Sequence, residues 1–146
     1  MEAPVPASAL IHSATLVSAG VFLVLRFNVF LSFSSWTFWF LPLIGSLTAC
    51  VGGFASAYQS DTKRLLAYST ISHCGFLMIV SSFFTPIYSI LYLYSHGFFK
   101  ASVFLCVGNV IRFNRNVQDF REMGSFFLYL PFECFFTFIC LFNLEH

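Results

Sequence analysis

The chain has 146 residues, of which 58% are hydrophobic, 21% aromatic and only 9% charged. A soluble domain carries about a quarter of its residues as charges, so this composition belongs to a membrane protein and excludes a soluble catalytic domain. Seven Lys/Arg against six Asp/Glu leave a formal net charge of +1, with no basic surplus to neutralise nucleic-acid phosphates.

A bilayer-spanning helix needs about 20 apolar residues. Five stretches qualify, at residues 8–26, 36–58, 64–84, 86–111 and 124–142. Helices are the expected form, because in lipid each backbone polar group must be satisfied within its own segment, and no stretch alternates with the period of a closed barrel. The fold class is an all-α membrane protein.

In the first span Ser8, His12, Thr15 and Ser18 recur at helical spacing and give one side a polar stripe. Such a stripe is suited to holding a water wire, and equally to gluing helices together in a membrane. Histidine as a residue type exchanges protons near neutral pH, which makes His12 a candidate proton relay. The second span has Pro42 near its start, where a missing N–H matters least, and Gly52-Gly53, expected at a close helix approach. The third span carries a polar cluster of Tyr68, Ser69, Ser72 and His73. Of these, Ser69 and His73 are one turn apart, and His73 reads first as an interhelical hydrogen-bonder.

The fourth span is the most informative. Lys100 lies near its middle, with His96 one turn earlier and Tyr92 one turn before that, all on one helix face. A lysine at the centre of a bilayer costs about 2.5 to 3.5 kcal/mol on insertion scales, so it is expected to face a protein interior and to mark a proton or ion path. The competing reading is a lysine that snorkels or holds a fixed ion pair. Gly97 beside it is expected at a close helix approach. In the fifth span Pro131 and Glu133 interrupt the apolar run. Glu133 is expected either to pair with a neighbouring subunit's lysine or, if the helix begins later, to lie near the headgroups.

Lys63, Arg64, Arg112, Arg115 and Arg121 fall on the side of the N-terminus, with only Arg26 opposite. The positive-inside rule then places the N-terminus in the matrix or cytoplasm. The charged segments 59–64 and 112–123 are read as topological. Cys50, Cys74, Cys106, Cys134 and Cys140 stand singly in apolar runs, without the Cys/His spacing of a metal site, and read as small membrane-buried residues. The 22 phenylalanines, whose codons are rich in T, suggest an AT-rich organellar genome. Met1-Glu2-Ala3-Pro4 resembles no cleaved targeting signal, as expected of a chain made inside the organelle. No nucleotide-binding glycine loop or nucleophile elbow is present.

Residues 1–17, MEAPVPASALIHSATLV, followed by Ala19-Gly20-Val21, resemble the M-E-x-P-x-P-x-S-A-L-I-H-x-A-T segment of the subunit 5 family of NADH:ubiquinone oxidoreductase, respiratory complex I. Residues 59–70, QSDTKRLLAYST, resemble its Q-x-D-x-K-R-x-L-A-Y-S-T turn. His96-Gly97-Phe98-Phe99-Lys100-Ala101, then Phe104-Leu105, Gln118-Asp119 and Met123-Gly124, resemble its H-x-F-F-K-A-x-x-F-L and Q-D-x-R-K-M-G stretches. The resemblance implies an antiporter-like helical bundle with inverted repeats, of which this chain matches about the eighth to twelfth helices, as a piece of a split subunit or a fragment.

What the resemblance implies for the site is a proton path in which Lys100 is the switching lysine, His96 its neighbour and His12 a bridge toward the preceding half-channel, with Tyr92, Thr15, Ser69 and His73 as supporting polar groups. The family often has a histidine where this chain has Tyr92, and a glutamine where it has His73. The implied setting is the mitochondrial inner membrane, with the N-terminus on the matrix side. Other membrane-arm subunits, a chain supplying the missing helices, and lipids are the implied partners, and nucleic acid is not. No cofactor or metal is expected in this chain; NAD, FMN, iron–sulfur clusters and ubiquinone belong to other subunits. The chain is thus expected to be part of an enzyme without redox chemistry of its own. Two alternatives are the large subunit of a Mrp-type cation/proton antiporter and a non-transporting structural subunit.

Overall fold

The computed structural model describes residues 7–8, 10–33, 35–83, 86–124 and 126–145, and of residues 12–14, 29, 31, 32, 35, 37, 38, 126, 127 and 145 the backbone alone. Among the described residues the regular structure is all helical. A π-helical turn, Leu10–Thr15, runs directly into α1 (Leu16–Ser32), followed by α2 (Ser35–Ala57), α3 (Thr62–Phe83), α4 (Pro86–Phe113), the single turn α5 (Phe126–Tyr129) and α6 (Pro131–Glu145). Among the described residues three helices are long and apolar enough to cross a membrane, Trp39–Ala57 within α2, Thr62–Phe83 and Pro86–Phe113, and shorter apolar stretches occupy Leu16–Asn28 and Pro131–Leu144.

Two helices depart from the stretches read in the sequence. The first runs on past Arg26 to Ser32, and Arg26 lays its guanidinium over the Phe22 ring, 5.4 Å from the centroid, so the cation shelters on an aromatic face rather than ending the helix. The last begins at Pro131 instead of residue 124. Proline lacks an N–H and suits the first helical position, and the Cys134 N–H donates to Leu130 O at 3.2 Å to open the helix there. Glu133 therefore sits in the first turn of α6, where the helix dipole favours an anion, and its Oε1 accepts from Asn109 Nδ2 of α4 at 2.9 Å.

The tightest pairing is α2 against α3, and its cause is small residues. A Cβ on Gly75 would stand 2.5 Å from Gly45 O and 2.6 Å from Ala49 N, and one on Gly52 would stand 2.8 Å from Ser72 N. Such stripes let backbones touch where lipid offers no hydrophobic drive to association. Gly53 and Gly97, expected to serve the same purpose, have open space where a Cβ would lie. The cysteines likewise divide, with Cys106 and Cys140 buried and Cys50 on the outer surface of α2.

The segments 58–61 and 114–124 meet at one end of the bundle, called here the loop end. The Thr62 N–H donates to Gln118 O at 3.1 Å and the Phe120 N–H to Ser60 O at 3.2 Å, an antiparallel bridge between Asp61 and Asp119. Thr62 Oγ1 adds a bond to Gln118 O at 3.1 Å, and Arg64 Nε pairs with Asp61 at 3.1 Å. These segments do more than carry topological charge: they latch the α2–α3 connection to the chain leaving α4, and Lys63 is itself buried. A left-handed Arg115 (φ 54°) ends α4, with the Asn116 N–H returning to Ile111 O at 2.9 Å, the bond of a Schellman cap.

Candidate proton-transfer site

The site lies between α3 and α4, which run antiparallel. Each carries polar residues one turn apart, Ser69 and His73 on α3, Tyr92, His96 and Lys100 on α4, and the opposed helix directions put the two series side by side. Lys100 is 1% exposed and His96 2%. Lys100 Nζ donates to Ser69 Oγ at 2.5 Å, His73 Nδ1 shares a hydrogen bond with the Tyr92 hydroxyl at 3.0 Å, and the His73 and His96 rings lie 5.2 Å apart, tilted by 38°.

The chain itself therefore buries its central lysine. A snorkelling Lys100 would reach the headgroups, and a fixed ion pair would place a carboxylate beside Nζ; the bond found is to a neutral hydroxyl. A charge held by a hydroxyl is less committed than one held by a carboxylate, which suits a group that must gain and lose a proton. His73, read from sequence as an interhelical hydrogen-bonder, makes that bond to Tyr92. The sequence treated the α3 and α4 clusters separately. The signal that joins them was available: two four-residue spacings on consecutive antiparallel helices, pairing 69 with 100 and 73 with 96.

The remaining candidates lie on the first helix. The backbone of His12 falls in the π-helical turn, which packs against α4, and its side chain lies outside the described residues. Thr15 is exposed, and its Oγ1 donates to Leu10 O at 2.8 Å, five residues back, the spacing of the π-helix itself. Ser18 Oγ donates to Thr15 O at 3.0 Å. The Thr15 hydroxyl thus supports the turn that carries His12. Single π turns of this kind are frequent at functional sites.

On the loop-end side of Lys100 the interior changes character. Leu66, Val103, Phe104 and Cys140 form a buried apolar cluster, flanked by Phe99 and Val107. Beyond it lies a cavity of about 230 Å³ whose lining includes Leu66, Val107, Val110, Met123 and Leu141. Its two hydroxyls, Thr62 and Thr137, donate to backbone carbonyls of Gln118 and Cys134.

Comparison with known proteins places this arrangement. The chain is 60% identical over 145 residues to NADH-ubiquinone oxidoreductase chain 5 of Paramecium tetraurelia, covering 99% of this chain and 25% of the relative. It is 44% identical over 131 residues to the protein of that name in Chondrus crispus, covering 90% of this chain and 20% of the relative. With that of Acanthamoeba castellanii the identity is 41% over 131 residues, covering 90% and 19%. The chain thus spans a quarter or less of the length of these relatives. The profile of the NADH:quinone oxidoreductase/Mrp antiporter transmembrane family matches residues 1–145, and the chain belongs to that family.

Proposed function

We propose that the chain forms the lysine-centred part of the proton-translocating subunit 5 in the membrane arm of a mitochondrial respiratory complex I. In this reading Lys100 is the group that alternates between ammonium and amine, and His96 is its neighbour in the relay. The Ser69 hydroxyl holds the ammonium, and the His73–Tyr92 bond fixes the flank of the path. His12 joins the site from the π-helical turn. Electron transfer from NADH to ubiquinone, with its NAD, FMN and iron–sulfur groups, takes place in other chains and drives these proton steps.

The observation that carries the reading is the Lys100 ammonium buried in a long apolar helix and held by the Ser69 hydroxyl. Intramembrane charges are costly and functional by default, and a scaffold would be better served by an apolar residue. The family description names both NADH:quinone oxidoreductases and Mrp antiporters; the names of the relatives favour the former. On this reading other membrane-arm subunits, one of them supplying the helices that the longer relatives possess, cover the exposed apolar faces. The N-terminus and the loop end lie on the matrix side, as the cluster of Lys and Arg there implies.

A native gel of solubilised mitochondrial membranes, stained for NADH dehydrogenase activity and read by mass spectrometry, tests this assignment. The chain is expected in the active band. Its recovery with Mrp-type subunits, in an assembly that does not oxidise NADH, would overturn the assignment to complex I.

A further inference from the structure

Ser89, near the start of α4, is fully buried, and its hydroxyl has no hydrogen-bond partner among the described residues. His96 Nε2 is in the same condition. The two residues lie seven apart, about two turns, on one face of α4, with Tyr92 between them. Buried polar groups nearly always find a partner in protein or ordered water, and an orphaned hydroxyl costs stability that an alanine would not. Packing alone gives no reason for a serine here.

Next to Lys100 the polar residues of the α3–α4 seam lie toward the α3–α4 connection, while at the loop end itself Thr62 and Lys63 are buried and Asn114 Nδ2 is a third buried group without a hydrogen-bond partner among the described residues. From Lys100 toward the α3–α4 connection the interior carries Ser69, His96, His73, Tyr92 and Ser89. Ser81 of α3 is buried at a height matching Ser89, because Lys100 meets Ser69 and the helices are antiparallel. Its backbone carbonyl accepts from Asn28 Nδ2 at 3.2 Å. Toward the loop end the same seam is closed by Leu66, Val103, Phe104 and Cys140. The cavity beyond is lined mostly by apolar side chains.

We propose that Ser89 is a proton-carrying residue, the next group after Tyr92 on a path from Lys100 to the α3–α4 end of the bundle, with bridging water as its ligand. The inference rests on the proton-transfer role proposed above for Lys100. Each transfer is balanced. Lys100 gives up one proton and becomes neutral, each hydroxyl or imidazole accepts a proton on its Lys100 side as it releases another on its far side, and one proton leaves to bulk water. No electrons move.

The test measures protons translocated per NADH in the assembled complex, for Ser89→Ala, Ser89→Thr, Ser89→Val, Lys100→Ala and the double variant Ser89→Ala/Lys100→Ala. Ser89→Ala is expected to assemble, to lose the share of translocation lost in Lys100→Ala, and to add nothing to that loss in the double variant, as for two members of one path. Ser89→Thr keeps the hydroxyl and the translocation; Ser89→Val, of the same shape without the hydroxyl, loses it. Full translocation in Ser89→Ala beside a loss in Lys100→Ala overturns the role of Ser89 alone. Full translocation in Lys100→Ala overturns the underlying reading and Ser89 with it. If Ser89→Ala fails to assemble, the threonine and valine variants decide, and equal translocation in those two overturns the proposal.

Discussion

At the residue scale the chain handles its buried polar groups in two ways. Lys100 and Ser69, and His73 and Tyr92, are paired across helices, whereas His96 Nε2, Ser89 Oγ and Asn114 Nδ2 have no hydrogen-bond partner among the described residues. At the loop end Asp61 and Asp119 meet as carboxyls. The protonated Asp61 carboxyl donates a hydrogen bond to Asp119, which raises the Asp61 pKa above its ordinary value of 3.8; burial and the charge of Asp119 add to the rise, and Arg64 opposes it. A raised carboxyl binds its proton better in the latched form. The latch is therefore strengthened as pH falls through the Asp61 range and weakened as pH rises through it. Amide hydrogen exchange at residues 59–63 should accordingly speed up, beyond the intrinsic effect of pH, as pH is raised from the acidic side through that range. Asp119→Asn, which replaces one charge with a donor, should flatten the dependence; an unchanged profile in that variant would remove Asp119 as the cause.

At the scale of elements, close approach of α2 and α3 positions the rest, since α3 carries Ser69 and His73. Gly75→Ala would set a methyl against the backbone of α2, and overpacking of this kind costs about 1–3 kcal/mol. Gly97→Ala meets open space and replaces a poor helix former, a change worth up to about 1 kcal/mol in the helix's favour. Thermal inactivation of the assembled complex should therefore come at lower temperature for Gly75→Ala and not for Gly97→Ala; the reverse order would contradict the packing described. The glycines also mark a limit of sequence reading. Gly52 and Gly53 are adjacent and chemically the same, and only the rotation of α2 decides that the first touches α3. The helix of Lys100 and its polar face were legible because charge in an apolar run is costly wherever it lies. The Ser69 partner was visible as a polar residue, and it becomes a partner only when the four-residue spacings of α3 and α4 are laid side by side as antiparallel helices. Ser89 escaped notice because one serine in an apolar run is ordinary until its burial is known. The late start of α6 was legible in Pro131, and the loop latch was hidden by residues whose charges served equally well as topological signals.

At the scale of the whole molecule, much of the apolar surface faces outward. Trp36, Val51 and Phe54 on α2 and Phe132, Phe135 and Phe138 on α6 are all more than half exposed, so these faces meet lipid or other helices. Lys100 and His96, by contrast, are enclosed by the chain's own helices. The chain spans a quarter or less of the Paramecium tetraurelia and Chondrus crispus relatives. The most direct test of the account is the number of protons translocated per NADH by assembled complex carrying Lys100→Ala, measured beside the parent complex at matched rates of NADH oxidation. The account predicts a lower ratio with assembly preserved; an unchanged ratio would contradict it.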